Sequence, residues 1–102
     1  MPKKIFVANK MDIPPGILKL VEIEGESIVL INHKNKIYAL EDICPHEGAP
    51  LSEGRIENNK IACPWHNASF EIKSGKVLSG PTETDVKMYK VTEDGEKIFI
   101  EL

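Results

Sequence analysis

The chain has 102 residues with 16 acidic and 13 basic side chains, and its formal net charge is −3. This length suffices for one compact core but not for two, so we expect a single domain spanning 1–102. Without a basic excess we expect no nucleic-acid partner, and without an apolar run near the roughly eighteen residues of a membrane span we expect no membrane partner.

In the N-terminal half, apolar residues recur at strand period rather than helix period. Asp12–Gly16, Glu24-Gly25 and His33–Lys36 interrupt this pattern as turns, and Asn35 suits a left-handed turn position. The predicted strands in this half are Lys3–Ala8, Ile17–Ile23, Glu26–Asn32 and Ile37–Glu41.

In the C-terminal half, Asn58-Asn59 and Glu93–Glu96 mark two further hairpin turns, and a single turn of helix is predicted near Ala49–Glu53. The predicted strands are Gly54–Glu57, Lys60–Cys63, Val86–Thr92 and Lys97–Leu102. The pattern therefore predicts an all-β fold of about eight to ten short strands, a small sandwich or barrel with two cysteine-containing loops at one end.

These loops are Cys44-Pro45-His46 and Cys63-Pro64-Trp65-His66. Together they supply two thiolates and two imidazoles, which is the ligand set of a Rieske [2Fe-2S] centre. If both cysteines hold one iron and both histidines the other, each loop must give one Cys and one His. We therefore predict one [2Fe-2S] cluster, bound by Cys44, His46, Cys63 and His66.

Three other interpretations of these loops are weaker. A zinc site usually has two to four residues between paired ligands, whereas a single residue separates Cys44 from His46. A Cys44–Cys63 disulfide is disfavoured because Met1–Ala8 does not resemble a secretory signal, so a reducing cytoplasmic location is expected. A catalytic Cys/His pair would leave the second Cys and the second His without a role.

Residues 44–81 resemble the cluster-binding subdomain of the Rieske ferredoxin family. The similarity includes both loops, the hairpin between them and the G-x-V-x-x-G-P run at 75–81. It implies a cluster-binding cap over about 42–84 and a base formed by about 1–41 and 85–102. It also implies that Gly80 and Pro81 close over the cluster.

Four residues near the ligands have predicted supporting roles. Gly48 permits close approach of the backbone to a bridging sulfide or is a plain turn glycine. Trp65 shields the cluster from solvent or contacts a partner. Ala68 and Phe70 occupy positions where high-potential members of the superfamily carry Ser and Tyr, whose hydroxyls donate to sulfur. Their absence here predicts a low potential.

The resemblance implies a monomeric one-electron carrier, acting from a flavin reductase to a terminal ring-hydroxylating oxygenase. Electrons would pass through His46 or His66. We expect no enzyme activity, because no room remains for a mononuclear iron domain and only His33, interpreted as a solvated turn residue, is left over. Two alternatives are the small subunit of an assimilatory nitrite reductase system and a zinc-stabilised interaction module.

Overall fold

The computed structural model describes residues 3–44, 48–64, 68–79 and 84–101. Within these ranges no helix is long and apolar enough to cross a membrane. The described residues form two short 3₁₀ helices, Lys10–Asp12 and Leu51–Glu53, and ten strands, which confirms the all-β prediction. The strands are β1 Lys4–Asn9, β2 Leu18–Ile23, β3 Glu26–His33, β4 Lys36–Glu41, β5 Arg55–Glu57, β6 Lys60–Ala62, β7 Ser69–Glu71, β8 Val77–Ser79, β9 Met88–Asp94 and β10 Lys97–Glu101.

The strands form two antiparallel sheets. The larger sheet has six strands in the order β1-β10-β9-β4-β3-β2, and the smaller has four in the order β5-β6-β7-β8. The smaller sheet is a meander built entirely from residues between 55 and 79. The larger sheet therefore comes from both ends of the chain, and the two cysteine loops adjoin the smaller sheet.

Strand β3 separates two hydrophobic cores. Its β-branched residues favour an extended strand, and successive side chains point to opposite faces. Val29 and Ile31 pack in the core that contains both cysteines. Ile28 and Leu30 pack in a second core with residues of β9 and β10. Because both faces are covered, this central strand reads as a continuous apolar run.

The predicted hairpin turns are present. Glu24 and Gly25 both have positive φ, as do Lys34 and Asn35, which is the backbone pattern of tight type I′ turns. The prediction for Asn35, with φ of 70°, is confirmed. These turns set the register of β2, β3 and β4. The register in turn fixes the position at which β4 ends and the first cysteine loop begins.

The end of the chain differs from prediction at β9. This strand begins at Met88 rather than Val86, because the Val86 N–H donates to the Gly75 carbonyl at 2.8 Å instead of pairing with β4. It continues to Asp94, since two residues suffice for the turn into β10. Residue 86 is thus bonded to the segment that connects β7 and β8.

His33 is not the solvated turn residue that the sequence indicated. Its side chain is only 8% exposed, and Nε2 lies 2.9 Å from Oδ1 of Asn59. Asn59 belongs to the β5–β6 turn, so this bond joins the larger sheet to the smaller one. The sequence does not indicate this bond, because Asn59 lies 26 residues further along the chain.

We expect His33→Ala to lower the free energy of unfolding by about 1 kcal/mol, since it removes a partly buried hydrogen bond. For a domain of this size that corresponds to a fall in Tm of roughly 4–8 °C. Thermal unfolding of Lys34→Ala, the exposed neighbour in the same turn, provides the control. Equal stability of the two variants would show that the His33–Asn59 bond contributes nothing.

Candidate metal centre

The first cysteine loop begins just after β4. The Cys44 N–H donates to the Ala49 carbonyl, and the Gly48 N–H donates to the Cys44 carbonyl, both at 2.8 Å. Gly48 has φ of +76°, a conformation that glycine adopts without strain, and nothing lies within 4 Å of where its Cβ would be. These observations support its role as a turn glycine. Its approach to a sulfide stays a prediction.

The second cysteine loop repeats this closure. Cys63 directly follows β6, and its N–H donates to the Ala68 carbonyl at 2.7 Å. In both loops the bond runs from the cysteine to an alanine five positions later, from 44 to 49 and from 63 to 68. Both alanines are fully buried. The two loops therefore have the same closure, although their Cys–His spacings differ.

Both cysteines belong to one core cluster, together with Ala49, Ala68 and Phe70. Cys44 and Cys63 are each 1% exposed and remain thiols rather than a disulfide. The disulfide interpretation is therefore not supported. Two buried thiols within one apolar core are a donor set that suits an iron–sulfur cluster, because surrounding apolar side chains limit solvent access to the metal.

The other predicted site residues have two different outcomes. Ala68 and Phe70 are fully buried, and Phe70 lies on β7 opposite Ile61 and Val77. No group of three or more metal-binding side chains occurs within the described ranges. These ranges include neither of the predicted histidine ligands. The predicted residues outside these ranges are His46, Trp65, His66, Gly80 and Pro81.

Two alanines have roles that the sequence did not indicate. Ala49 and Ala68 each accept the N–H of the preceding cysteine through a backbone carbonyl. A signal for them is present, since CPHEGA and CPWHNA place alanine at the same distance from each cysteine. A small residue at that position allows the loop to fold back on itself inside a close-packed core.

The family model of the Rieske [2Fe-2S] domain matches residues 3–90. The chain belongs to this family. Its cofactor is accordingly one [2Fe-2S] cluster, as the loop sequences predicted. The match includes both cysteine loops, the smaller sheet and most of the larger sheet.

Two relatives of this Rieske domain match it over nearly their whole length. The ferredoxin component of the naphthalene 1,2-dioxygenase system of Pseudomonas aeruginosa is 33% identical over 91 residues, 89% of this chain and 88% of the relative. The 3-phenylpropionate/cinnamic acid dioxygenase ferredoxin subunit of Shigella boydii is 35% identical over 101 residues, 97% of this chain and 93% of the relative.

A solved structure shares the fold and some of the sequence. It is described as a complex of reduced oxygenase and oxidized ferredoxin in carbazole 1,9a-dioxygenase. The matched chain has a TM-score of 0.89 and 26% identity, with coverage of 95% of this chain and 91% of that chain. This Rieske domain therefore has the same fold as a chain of that oxygenase–ferredoxin complex.

Proposed function

We propose that this Rieske domain is a one-electron carrier for a terminal ring-hydroxylating oxygenase. The observation that carries the proposal is the placement of two buried cysteines in loops closed by equivalent hydrogen bonds. The chain that holds them matches ferredoxin components over 89–97% of its length. A Rieske cluster, when bound, takes up and returns a single electron.

We assign Cys44 and Cys63 to one iron and His46 and His66 to the other. The chain's own contribution on the cysteine side is to hold both sulfurs in a fixed, water-poor environment. Each cysteine is hydrogen-bonded at its backbone N–H and packed among fully buried side chains. This rigidity limits rearrangement when the charge of the centre changes, which favours rapid electron transfer.

The proposed partners are a flavin reductase as donor and a terminal oxygenase as acceptor. The oxygenase–ferredoxin complex found for a structural relative supports the acceptor, and the names of the two full-length relatives support a multicomponent oxygenase system. The domain itself is proposed to be a monomeric electron-transfer component, located in the cytoplasm and without catalytic activity of its own.

The test begins with the purified protein under anaerobic conditions. It should be red-brown, take up one electron per chain from dithionite and then show the electron paramagnetic resonance signal of a reduced Rieske cluster. The reduced protein is next mixed with the oxygenase component of an aromatic dioxygenase system, and reoxidation is followed by visible absorbance. A colourless protein with bound zinc would overturn the proposal, and failure to reduce any such oxygenase would reject the proposed acceptor.

The predicted low potential can be tested with Phe70→Tyr. Phe70 lies in the core that contains both cysteines, so the new hydroxyl is expected to donate to a sulfur. A hydrogen bond to a charged group contributes roughly 1.5–3 kcal/mol when fully formed. Because a tenfold change in a one-electron equilibrium is about 59 mV, we expect the potential to rise by tens of millivolts. Protein-film voltammetry measures this change, and Ala68→Ser should act in the same direction.

The matched control is Phe6→Tyr, because Phe6 lies on edge strand β1 and is 49% exposed. Its potential should equal that of the wild type. Suppose that a crystal structure of Phe70→Tyr showed the hydroxyl within bonding distance of sulfur while the potential stayed constant. The low potential would then not result from the missing donors.

A further inference from the structure

Asp42 connects the larger sheet to the first cysteine loop. It lies between the end of β4 and Cys44, and it is only 4% exposed. Its backbone N–H donates to the Ser27 carbonyl on β3 at 2.9 Å. The backbone of Asp42 is therefore fixed to the sheet before the chain turns into the loop.

The Asp42 side chain reaches the far end of the same loop. Oδ1 accepts the backbone N–H of Ser52 at 2.5 Å, and Oδ2 accepts the Ser52 hydroxyl at 2.9 Å. Ser52 lies ten residues further on, in the 3₁₀ helix Leu51–Glu53. These two bonds close a loop of residues 43–51, which contains Cys44. The shorter loop closed by the Cys44–Ala49 bond lies within it.

Both side-chain oxygens of Asp42 are thus bonded to one residue, so the side chain is held in a single orientation two residues from Cys44.

We propose that Asp42 is a positioning residue for the cluster. The inference rests on the proposed function, because it takes Cys44 to be a ligand. The hydrogen bonds to Ser52 hold the loop closed, so the Cys44 sulfur keeps one position toward the cluster.

Three variants change the bonds between Asp42 and Ser52 in different ways. In Asp42→Asn the amide oxygen can accept the Ser52 N–H while the amide nitrogen donates to the Ser52 hydroxyl, so both bonds can be retained. In Ser52→Ala the bond to the hydroxyl is lost. Ser52→Thr keeps the hydroxyl and is the conservative variant.

We expect Ser52→Ala to lose iron several-fold faster than the wild type under chelator challenge, because the loop is then held by one bond fewer. Ser52→Thr should restore the wild-type rate, and Asp42→Asn should keep its cluster and lose iron at close to the wild-type rate.

The matched control is Glu53→Gln, which changes the exposed neighbour of Ser52 and should retain iron as the wild type does. Iron retention in Ser52→Ala equal to that of Glu53→Gln would overturn the positioning role. These outcomes are distinguishable from failure of the proposed ligand set, which would appear as full cluster retention in Cys44→Ser.

Discussion

Cys44→Ser and Cys63→Ser are each expected to lose most of the bound iron and sulfide. Both sulfurs lie inside one core, while the N–H groups that close the loops belong to the backbone and persist in a serine variant. The substitution therefore removes the sulfur without removing the loop closure. Because metal binding contributes to folding, Tm should fall as well, and iron analysis with thermal unfolding measures both effects.

His46→Ala and His66→Ala should have the same outcome if both imidazoles are ligands. The neutral control is Lys34→Ala, which changes an exposed turn residue, whereas His33→Ala is unsuitable because His33 is buried and bonded to Asn59. A variant with complete iron and sulfide and an unchanged electron paramagnetic resonance spectrum would contradict the ligand assignment of that residue.

The strands of the larger sheet were predictable because each has a local signal. Strands β2, β3 and β4 alternate apolar and polar residues or form apolar runs, and turn residues with positive φ separate them. Strands β7 and β8 were not predicted. Each is only three residues long, too short for a periodic pattern, and they form because β6 offers a pairing edge to β7.

The metal-binding side chains of the candidate site could be predicted from the sequence. The hydrogen bonds that hold the surrounding segments in place could not. Two thiols and two imidazoles suit a Rieske cluster or a zinc site, and the single residue between Cys44 and His46 favours the cluster. The Asp42–Ser52 and His33–Asn59 bonds join residues ten and twenty-six positions apart. No pattern along the chain indicates such pairs, because they depend on how the two sheets pack.

The division into a base and a cap stays a prediction. The two sheets are consistent with it, because β5 to β8 all fall between residues 42 and 84. Several hydrogen bonds run between the proposed parts, among them the His33–Asn59 bond and the Val86 N–H bond to Gly75. Cooperative unfolding of both parts is therefore expected.

Gly75→Ala tests the connection between the β7–β8 segment and residue 86, and we expect it to be strongly destabilising. Gly75 has φ of +79°, its N–H donates to the Glu71 carbonyl, and its own carbonyl accepts the Val86 N–H. An added Cβ would collide with the Val86 carbonyl oxygen and lie 3.4 Å from Leu40. Because the Val86 N–H is bonded to Gly75, we expect the backbone at residue 86 to have little freedom to move aside.

Gly25→Ala is the matched variant, because Gly25 has nearly the same φ, +83°, and nothing lies within 4 Å of its Cβ position. It should lose only the roughly 1–2 kcal/mol of a left-handed conformation. Gly75→Ala should lose about 1–3 kcal/mol more through overpacking, and its cluster should be released more readily. Denaturant unfolding measures the difference. Equal losses in the two variants would mean that the Val86 carbonyl moves freely, so the chain at residue 86 would not be fixed against the β7–β8 segment.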